Sequence, residues 1–378
     1  MKLKRFIRVF ININWYLKIP INIPVIGKEE IEEVRSVLLE RSLTSTANSG
    51  GKRVQEFEKL LSSFVKSRYA VAVNSGTSAL QAALYALDLK RGDEVLLPSF
   101  TFVATANSIV SVGVKPVFVD IIKENYTMDP NDLKKRITRK SKVIIPVHLY
   151  GNMAYMNEIS EVADKYNLEI IEDSAQSLGS TYNGKHSGTF SKLGCFSMYA
   201  AKVVTSGEGG AIVTNNKNQF ERLRKIRNHG MLRGNDTRLL GLNLRLPEVN
   251  AAIAKIQMKK LPKFLKHRRK NAKILTELLS DLDIGIPHER KGEKVNWYLY
   301  TIAAKNRNKI MKKLNSKGIA ATAYYPIPVH KTPFYYKRSR LPVTEWAASH
   351  VLSLPIHPLV SKQNLHGMAN IIKQVMKR

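Results

Sequence analysis

One lysine in this basic chain stands where an amine group would be reactive. Lys202 lies in SMYAAKVVTSGEGG (197–210), between small and β-branched residues and just before a glycine-rich turn. A buried ammonium group without a partner is costly, so such a lysine tends to lose its proton and becomes a nucleophile. A neutral lysine can then form a Schiff base with an aldehyde. The alternative is a surface lysine at the end of a strand, which is common in a chain with this composition.

A second stretch, NSGTSAL (74–80), joins an apolar strand pattern to a helical pattern. Gly76 lets the backbone approach an anion closely, and the free N–H groups at the start of a helix point toward it. Thr77 adds a hydroxyl donor. The stretch is neither a P-loop nor a G-x-G-x-x-G fingerprint. It predicts a phosphate cradle, with an ordinary N-capped helix as the alternative.

Two further stretches place side chains at the ends of predicted strands. In IIEDSAQSLG (170–179), a predicted strand ends with acidic residues. Asp173 is therefore expected in the crevice where open α/β sheets bind ligands. The alternative is that Asp173 only caps the next helix. PSFTFVATANS (98–108) places Phe102 where a ring would stack on a flat cofactor, with a core position as the alternative. A phosphate cradle, an aldehyde-binding lysine, a carboxylate and a stacking ring together indicate pyridoxal phosphate.

The elements that position these residues follow from alternating apolar and helical patterns. Helical spacing appears at 78–87 and 157–167, and apolar runs predict strands buried on both faces at 69–73, 94–98, 115–120, 142–150, 168–173, 195–199 and 211–215. This alternation predicts an α/β fold with a mostly parallel sheet. After residue 250, the pattern predicts a long basic helix at 259–279 and a strand at 297–304. Two further helices are expected at 309–318 and 361–378.

The predicted organisation has three parts: an N-terminal extension (1–18), a large domain (19–255) and a small C-terminal domain (256–378). Basic and apolar residues alternate in the extension, and it lacks the cleavage site of a signal peptide. We expect it to pack on the body or to reflect a misassigned start, with a position on a membrane surface as the alternative.

The composition limits the function classes. A formal net charge of +31 favours acidic partners such as nucleic acid, anionic membranes or phosphorylated small molecules. Because the lysines are spread along the whole chain, a solvated basic surface is the preferred interpretation, and no nucleic-acid partner is expected. The single cysteine, Cys195, excludes an intrachain disulfide and a cysteine-based metal site, which fits a cytoplasmic protein. No metal site and no membrane span are predicted.

The motifs, taken in order, resemble those of the DegT/DnrJ/StrS-type sugar-nucleotide aminotransferases, which are fold type I enzymes that use pyridoxal phosphate. The resemblance runs from IPINIPVIGKEEIEEV (19–34) to SLPIHP (353–358). It is carried by FEKLLSSFV (57–65), VNSGTSAL (73–80), GDEVLLPSFTFVATANSI (92–109), PVFVDI (116–121), PVHLYGN (146–152), IIEDSAQSLG (170–179), GCFSMYAAKVVTSGEGGAIVTN (194–215), RNHG (227–230) and GLNLRLPEVNAAIAKIQ (241–257). It implies a large domain with a mostly parallel seven-stranded sheet and a smaller C-terminal α/β domain. Two letters depart from the family pattern: Ala200 replaces a frequent proline, and Ser174 replaces a common alanine.

The resemblance assigns roles around the cofactor ring. Lys202 is the expected Schiff-base lysine and the proton shuttle between substrate and cofactor. Asp173 is expected to keep the pyridinium nitrogen protonated, so that the ring remains an electron sink. Gln176 is expected to bind the ring hydroxyl, and Phe102 to stack on the ring.

The resemblance also assigns a phosphate site and a dimer. Gly76, Thr77 and Ser197 are expected to bind the phosphate. Asn243, in GLNLR, resembles an asparagine that reaches the phosphate from the neighbouring subunit. A homodimer with an intersubunit active site is therefore expected.

The implied reaction is a two-stage transamination, in which glutamate or glutamine loads the amine and a nucleotide-linked keto-sugar accepts it. Tyr325 and His330, in YYPIPVH, are candidate substrate contacts, with a packing role as the alternative. Two other functions compete. A related 3-dehydratase on keto-sugars carries histidine in place of the lysine, so Lys202 argues against it. A regulator or nucleic-acid-binding protein is suggested by the +31 charge.

Overall fold

The computed structural model of the protein describes residues 18–232, 234–336 and 339–377, so the predicted N-terminal extension lies outside it except for its last residue. The helices of the described part are α1 (Lys28–Leu39), α2 (Lys52–Val65), α3 (Gly76–Tyr85), α4 (Ala104–Ser111), α5 (Pro130–Arg136), α6 (Met156–Tyr166), α7 (Lys217–Ile226), α8 (Glu248–Leu279), α9 (Arg307–Ser316), α10 (Pro342–His350) and α11 (Lys362–Met376). Short 3-10 turns cover Leu149–Gly151, Val329–Lys331 and Pro333–Tyr335.

The strands divide into a large sheet and two small ones. They are β1 (Tyr69–Val73), β2 (Glu94–Pro98), β3 (Lys115–Val119), β4 (Ser141–Ile144), β5 (Glu169–Asp173), β6 (Thr181–Tyr182), β7 (Lys185–His186), β8 (Leu193–Ser197), β9 (Gly210–Thr214), β10 (Glu293–Lys294), β11 (Tyr300–Ala303) and β12 (Val351–Leu354). The small sheets are β10-β6-β7 and the antiparallel pair β11-β12.

The large sheet has seven strands in the order β1-β9-β8-β5-β4-β2-β3. Strand β9 runs antiparallel to both of its neighbours, and every other pair in the sheet is parallel. The interior strands are buried on both faces, as strands covered by helices on two sides should be. The predicted α/β class with a mostly parallel seven-stranded sheet is confirmed.

The predicted strand at 142–150 is too long. The ladder ends at Ile144, because Pro146 has no N–H to donate to a neighbouring strand. The chain still follows β5 for two residues, since the Pro146 carbonyl accepts from Asp173 N at 2.9 Å and His148 N donates to the Asp173 carbonyl at 3.1 Å. A 3-10 turn then bends the chain away at Tyr150, whose φ is 60°.

Helix α8 joins the two cores of the protein. It begins at Glu248, 11 residues before the predicted start at 259, and it passes through the predicted domain boundary at 255 without a break. Its first half packs Met258 and Leu261 against α2 and the sheet, whereas its second half contributes Leu275 to the core of the small domain. Ile19 belongs to that same small-domain core. Residues at the start of the described chain therefore pack in the same core as the predicted small domain.

Candidate active site

Three strand ends bring the predicted residues together. Asp173 ends β5 and Ser197 ends β8, and these strands are parallel neighbours, with Asp173 opposite Cys195. Gly76 begins α3 just after β1. Because the carboxyl ends of parallel strands share one edge, these residues line one crevice. No group of three or more His, Cys, Asp or Glu side chains in the described ranges is arranged to hold a metal ion.

The start of α3 is built for close backbone approach. Ser75 caps the helix, since its Oγ accepts from Ser78 N at 3.0 Å. A Cβ on Gly76 would lie 2.7 Å from Ser197 Cβ, so only glycine fits beside the end of β8. Thr77 is exposed next to it. The free N–H groups at this helix start and the nearby hydroxyl groups suit a phosphate.

Asp173 is buried and held at both carboxylate oxygens. Its Oδ2 accepts from Thr105 Oγ1 at 2.8 Å, and its Oδ1 accepts from Ala175 N at 3.1 Å. Burial raises the pKa of Asp173, while these hydrogen bonds and the charge of Lys202 oppose the rise. The carboxylate is therefore fixed in orientation. Thr105 lies within the quoted stretch 98–108, but its link to Asp173 was not predicted.

Lys202 follows β8 in the loop that leads to β9. Its Nζ lies 4.8 Å from the centre of the Tyr298 ring, in a cation–π contact. Burial lowers the pKa of Lys202 from 10.5 to about 8, and the nearby charge of Asp173 opposes this shift. The geometry thus provides a lysine that is neutral far more often than a surface lysine. Tyr298 was missed by sequence reasoning, which placed it in a predicted small-domain strand.

Gln176 and Phe102 lie on either side of Tyr325. Gln176 Oε1 accepts from Tyr150 N at 2.8 Å, and its Nε2 donates to Tyr325 Oη at 3.2 Å. The Phe102 ring is centred 6.1 Å from the Tyr325 ring and its residue is 56% exposed. Exposure of this size excludes the core-aromatic alternative for Phe102. The ring is open on one side for stacking.

The two candidate substrate contacts have different surroundings. Tyr325 lies at the crevice through Gln176, whereas His330 is fully buried. The Nδ1 atom of His330 is 2.7 Å from Ser99 Oγ, and its Nε2 atom is 3.4 Å from a Glu345 oxygen. Both ring nitrogens are therefore engaged inside the protein. These contacts favour the packing alternative for His330, and burial lowers its pKa.

A group of four neighbouring tyrosines, called here the aromatic rim, includes the Tyr298 ring that contacts Lys202. Tyr324 and Tyr325 pack edge to face, with ring centres 5.8 Å apart, and Tyr298 lies under the lysine. Tyr199 is 49% exposed at the outer side of this group. These four tyrosines form a mostly apolar wall with hydroxyl groups at its edge.

Asn243 lies near the start of α3. Its carbonyl oxygen accepts from Asn74 Nδ2 at 3.3 Å, and Asn74 N donates to the Leu244 carbonyl at 2.9 Å. The Asn243 residue itself is exposed. Its predicted contact with a second subunit stays a prediction.

The chain is similar to known proteins over most of its length. The chain is 37% identical over 311 residues to the UDP-N-acetyl-3-dehydro-alpha-D-glucosamine 3-aminotransferase of Acidithiobacillus ferrooxidans, covering 82% of this chain and 84% of the relative. It is 36% identical over 354 residues to a pleiotropic regulatory protein of Geobacillus stearothermophilus, covering 90% and 95%. The crystal structure of Streptomyces venezuelae DesV in complex with a ketimine intermediate matches with a TM-score of 0.89 and 32% identity, covering 95% and 99%.

The family assignment rests on nearly the whole chain. The model of the DegT/DnrJ/EryC1/StrS aminotransferase family matches residues 24–373. The matched structures are fold type I aminotransferases, so the predicted fold type is confirmed. The matched range includes every strand of the large sheet and the whole of the small domain's sheet. The chain belongs to the DegT/DnrJ/EryC1/StrS aminotransferase family.

Proposed function

We propose that the protein is a pyridoxal-phosphate-dependent aminotransferase that moves an amino group from glutamate or glutamine to a keto group of a nucleotide-linked sugar. The observation that carries the proposal is the pairing of Lys202, whose pKa is lowered to about 8, with the buried carboxylate of Asp173 in one crevice. The name of the A. ferrooxidans relative supports a nucleotide-linked keto-sugar as acceptor. The proposed location is the cytoplasm.

The residues present fit the cofactor. A Cβ on Gly76 would fill the space beside Ser197, which supports close backbone contact with a phosphate. When bound, pyridoxal phosphate supplies an aldehyde for a covalent link to lysine and a ring that accepts electrons from the substrate. The residues proposed to hold it are Gly76, Thr77 and Ser197 at the phosphate, Asp173 at the ring nitrogen, Gln176 at the ring hydroxyl and Phe102 on the ring face.

Lys202 is proposed to attach the cofactor and then to move the proton at the substrate carbon. With a pKa of about 8, roughly one Lys202 in ten is neutral at pH 7. The nearby Tyr298 ring limits access of water to Nζ. Asp173, fixed by Thr105 and Ala175, is the carboxyl group that would hold the ring nitrogen. The base and the charge that stabilises the ring are thus oriented before substrate binds.

The aromatic rim supports a sugar acceptor. Sugar rings carry apolar C–H faces that pack on aromatic rings, while their hydroxyl groups require polar partners at the edges. Tyr199, Tyr324 and Tyr325 offer both. We propose in addition that the active enzyme is a homodimer in which the exposed Asn243 completes the partner's phosphate site.

Two rival functions make different predictions. The 3-dehydratase reaction is disfavoured because Lys202 stands where that branch carries histidine. A regulatory role is suggested by the net charge of +31 and by the name of the G. stearothermophilus relative. It predicts salt-sensitive binding to nucleic acid and no dependence on Lys202.

The test is a panel of keto-sugar nucleotides, incubated with glutamate, pyridoxal phosphate and the purified protein and analysed by mass spectrometry. The proposal expects an amino-sugar nucleotide together with the keto acid of the donor. Absorption in the region of roughly 400–430 nm should accompany cofactor binding. A protein that stays colourless with pyridoxal phosphate and aminates no member of the panel would contradict the proposal.

A further inference from the structure

The backbone that carries Lys202 is held by a residue from the start of the described chain. The Asn22 side-chain amide donates to the carbonyl oxygens of both Ala201 and Lys202, the latter at 3.3 Å. Ala201 and Lys202 lie 179 and 180 positions after Asn22 in the sequence. Asn22 belongs to the segment whose neighbour Ile19 packs in the small-domain core. A small-domain segment therefore fixes the loop of the large domain that carries the lysine.

Asn22 is in turn held by a buried arginine of helix α8. Arg268 Nη2 donates to Asn22 Oδ1 at 2.6 Å, and its Nη1 donates to the carbonyl oxygens of Trp297 and Tyr298 at 3.2 Å each. Arg268 is 2% exposed. Within the ranges 18–232, 234–336 and 339–377, it forms no ion pair with a carboxylate. Buried arginines usually pair with acidic side chains. Because Arg268 donates to carbonyl oxygens instead, its position calls for an explanation.

The contacts of Arg268 lead to both ends of Lys202. Arg268 reaches the lysine main chain through Asn22 and reaches its ammonium group through Tyr298, whose ring is 4.8 Å from Nζ. In the described part of the chain, Asp173 is the charged residue that affects the pKa of Lys202. Both ends of the lysine are thus fixed by the same guanidinium group.

We propose that Asn22 and Arg268 are positioning residues that hold Lys202 in its orientation against the Tyr298 ring. They act through the lysine and touch neither cofactor nor substrate. The proposal rests on the proposed role of Lys202 as the cofactor-attaching residue. The clamp, defined as Asn22 and Arg268, makes the reactivity of the lysine depend on the docking of the small domain.

The chain offers a matched control for Arg268. Arg307 is also buried, donates to the carbonyl oxygens of Val351 at 3.0 Å and Ala348 at 3.2 Å, and leaves its Nε atom without a hydrogen-bond partner, as Arg268 does. It lies at the start of α9 in the small domain, and the contacts described for it involve no part of the Lys202 loop. A purely structural role for buried arginines predicts the same behaviour for both.

The test measures Lys202 in the apo-protein. Full-length wild type, Asn22→Ala, Arg268→Met and Arg307→Met are labelled with trace acetic anhydride across pH 6 to 11, and acetylation of the Lys202 peptide is followed by mass spectrometry. We expect the clamp variants to raise the midpoint by about one pH unit, which is roughly tenfold less labelling near pH 7. Asn22→Ala changes no charge, so its shift reports position alone. Arg307→Met should lower the melting temperature and leave the midpoint unchanged.

Two additions keep the outcome decisive. Arg268→Lys retains the positive charge and one donor nitrogen, so its Lys202 midpoint should fall between those of wild type and Arg268→Met. It replaces any other variant that circular dichroism shows to be unfolded. An unchanged Lys202 midpoint in folded Asn22→Ala and Arg268→Lys, with lower melting temperatures only, would overturn the proposal. Borohydride reduction of wild type with pyridoxal phosphate tests the proposed function separately. If the reduction attached no pyridoxal phosphate to Lys202, the cofactor role would be refuted, but the clamp measurement would remain valid.

Discussion

The half of the site built on the large sheet differs from the half built on the small domain. In the sheet half, Asp173 and Ser197 end neighbouring strands, and the ladder itself fixes their separation. In the small-domain half, Tyr298 and Tyr325 lie outside every helix and strand and are held by side-chain contacts. Regular structure therefore places the Asp173 carboxylate and the Ser197 hydroxyl, and irregular structure places the aromatic wall.

The two halves also differ in the forces that act on their residues. Burial of an ionisable group changes its free energy by far more than the loss of one aromatic contact. Lys202 and Asp173 have pKa values shifted by burial in opposite senses, since burial disfavours the charged form of each. We therefore expect substitutions in the sheet half to have large effects on chemistry, and those in the small-domain half to have smaller effects on binding.

The largest expected effect comes from Lys202→Met. The variant should form no borohydride-reducible link to pyridoxal phosphate and should lose at least about 1000-fold in turnover, since the attaching amine and the proton carrier are one group. Lys255→Met is the control, because Lys255 is also largely buried but pairs with Glu33 and Glu56 away from the crevice. Turnover within tenfold of wild type in Lys202→Met would remove the basis for distinguishing the two halves.

Asp173→Asn should follow, with a loss of roughly 100- to 1000-fold in turnover, because the neutral amide cannot stabilise a protonated ring nitrogen. Its shape and its contact with Thr105 can be retained, so the fold should survive. Steady-state kinetics with glutamate and the best acceptor, beside thermal melting, give the measurement. A loss smaller than that for Tyr325→Phe would reverse the ranking of the two halves.

The pH dependence of cofactor attachment should show the lowered pKa of Lys202. The rate of attachment to the apo-protein depends on the neutral amine, so it should rise about tenfold per pH unit below pH 8 and level off above it. A stopped-flow absorbance series from pH 6 to 10 measures this. A rate that continues to rise beyond pH 9 would show that Lys202 keeps an ordinary pKa.

The smallest effects are expected from the small-domain pair. Tyr325→Phe removes the acceptor of the Gln176 hydrogen bond and keeps the ring, so about a two- to tenfold rise in KM with little change in kcat is expected. His330→Gln should instead lower the melting temperature, because its bonds to Ser99 and Glu345 are internal. A specific rise in the sugar KM for His330→Gln, without loss of stability, would restore it as a substrate contact.

The same difference explains what the sequence could predict. Strands such as β1 and β5 are apolar runs flanked by turns, and their ends carry the site motifs, so local sequence identifies both. The strand predicted at 142–150 was too long because Pro146 ends the ladder after Ile144. Thr105 was missed because its contact with Asp173 spans 68 residues. Tyr298 was missed for the same reason: its position under Lys202 depends on how the small domain docks.

Helix α8 has a consequence for protein engineering. It is 32 residues long, about 48 Å, and it belongs to both cores, with Pro262 inside its length. A chimaera that exchanges small domains between relatives would interrupt α8 if the crossover were made at residue 255. A crossover that keeps α8 whole avoids this break, and moving Ile19 together with the small domain keeps it in the core where it packs.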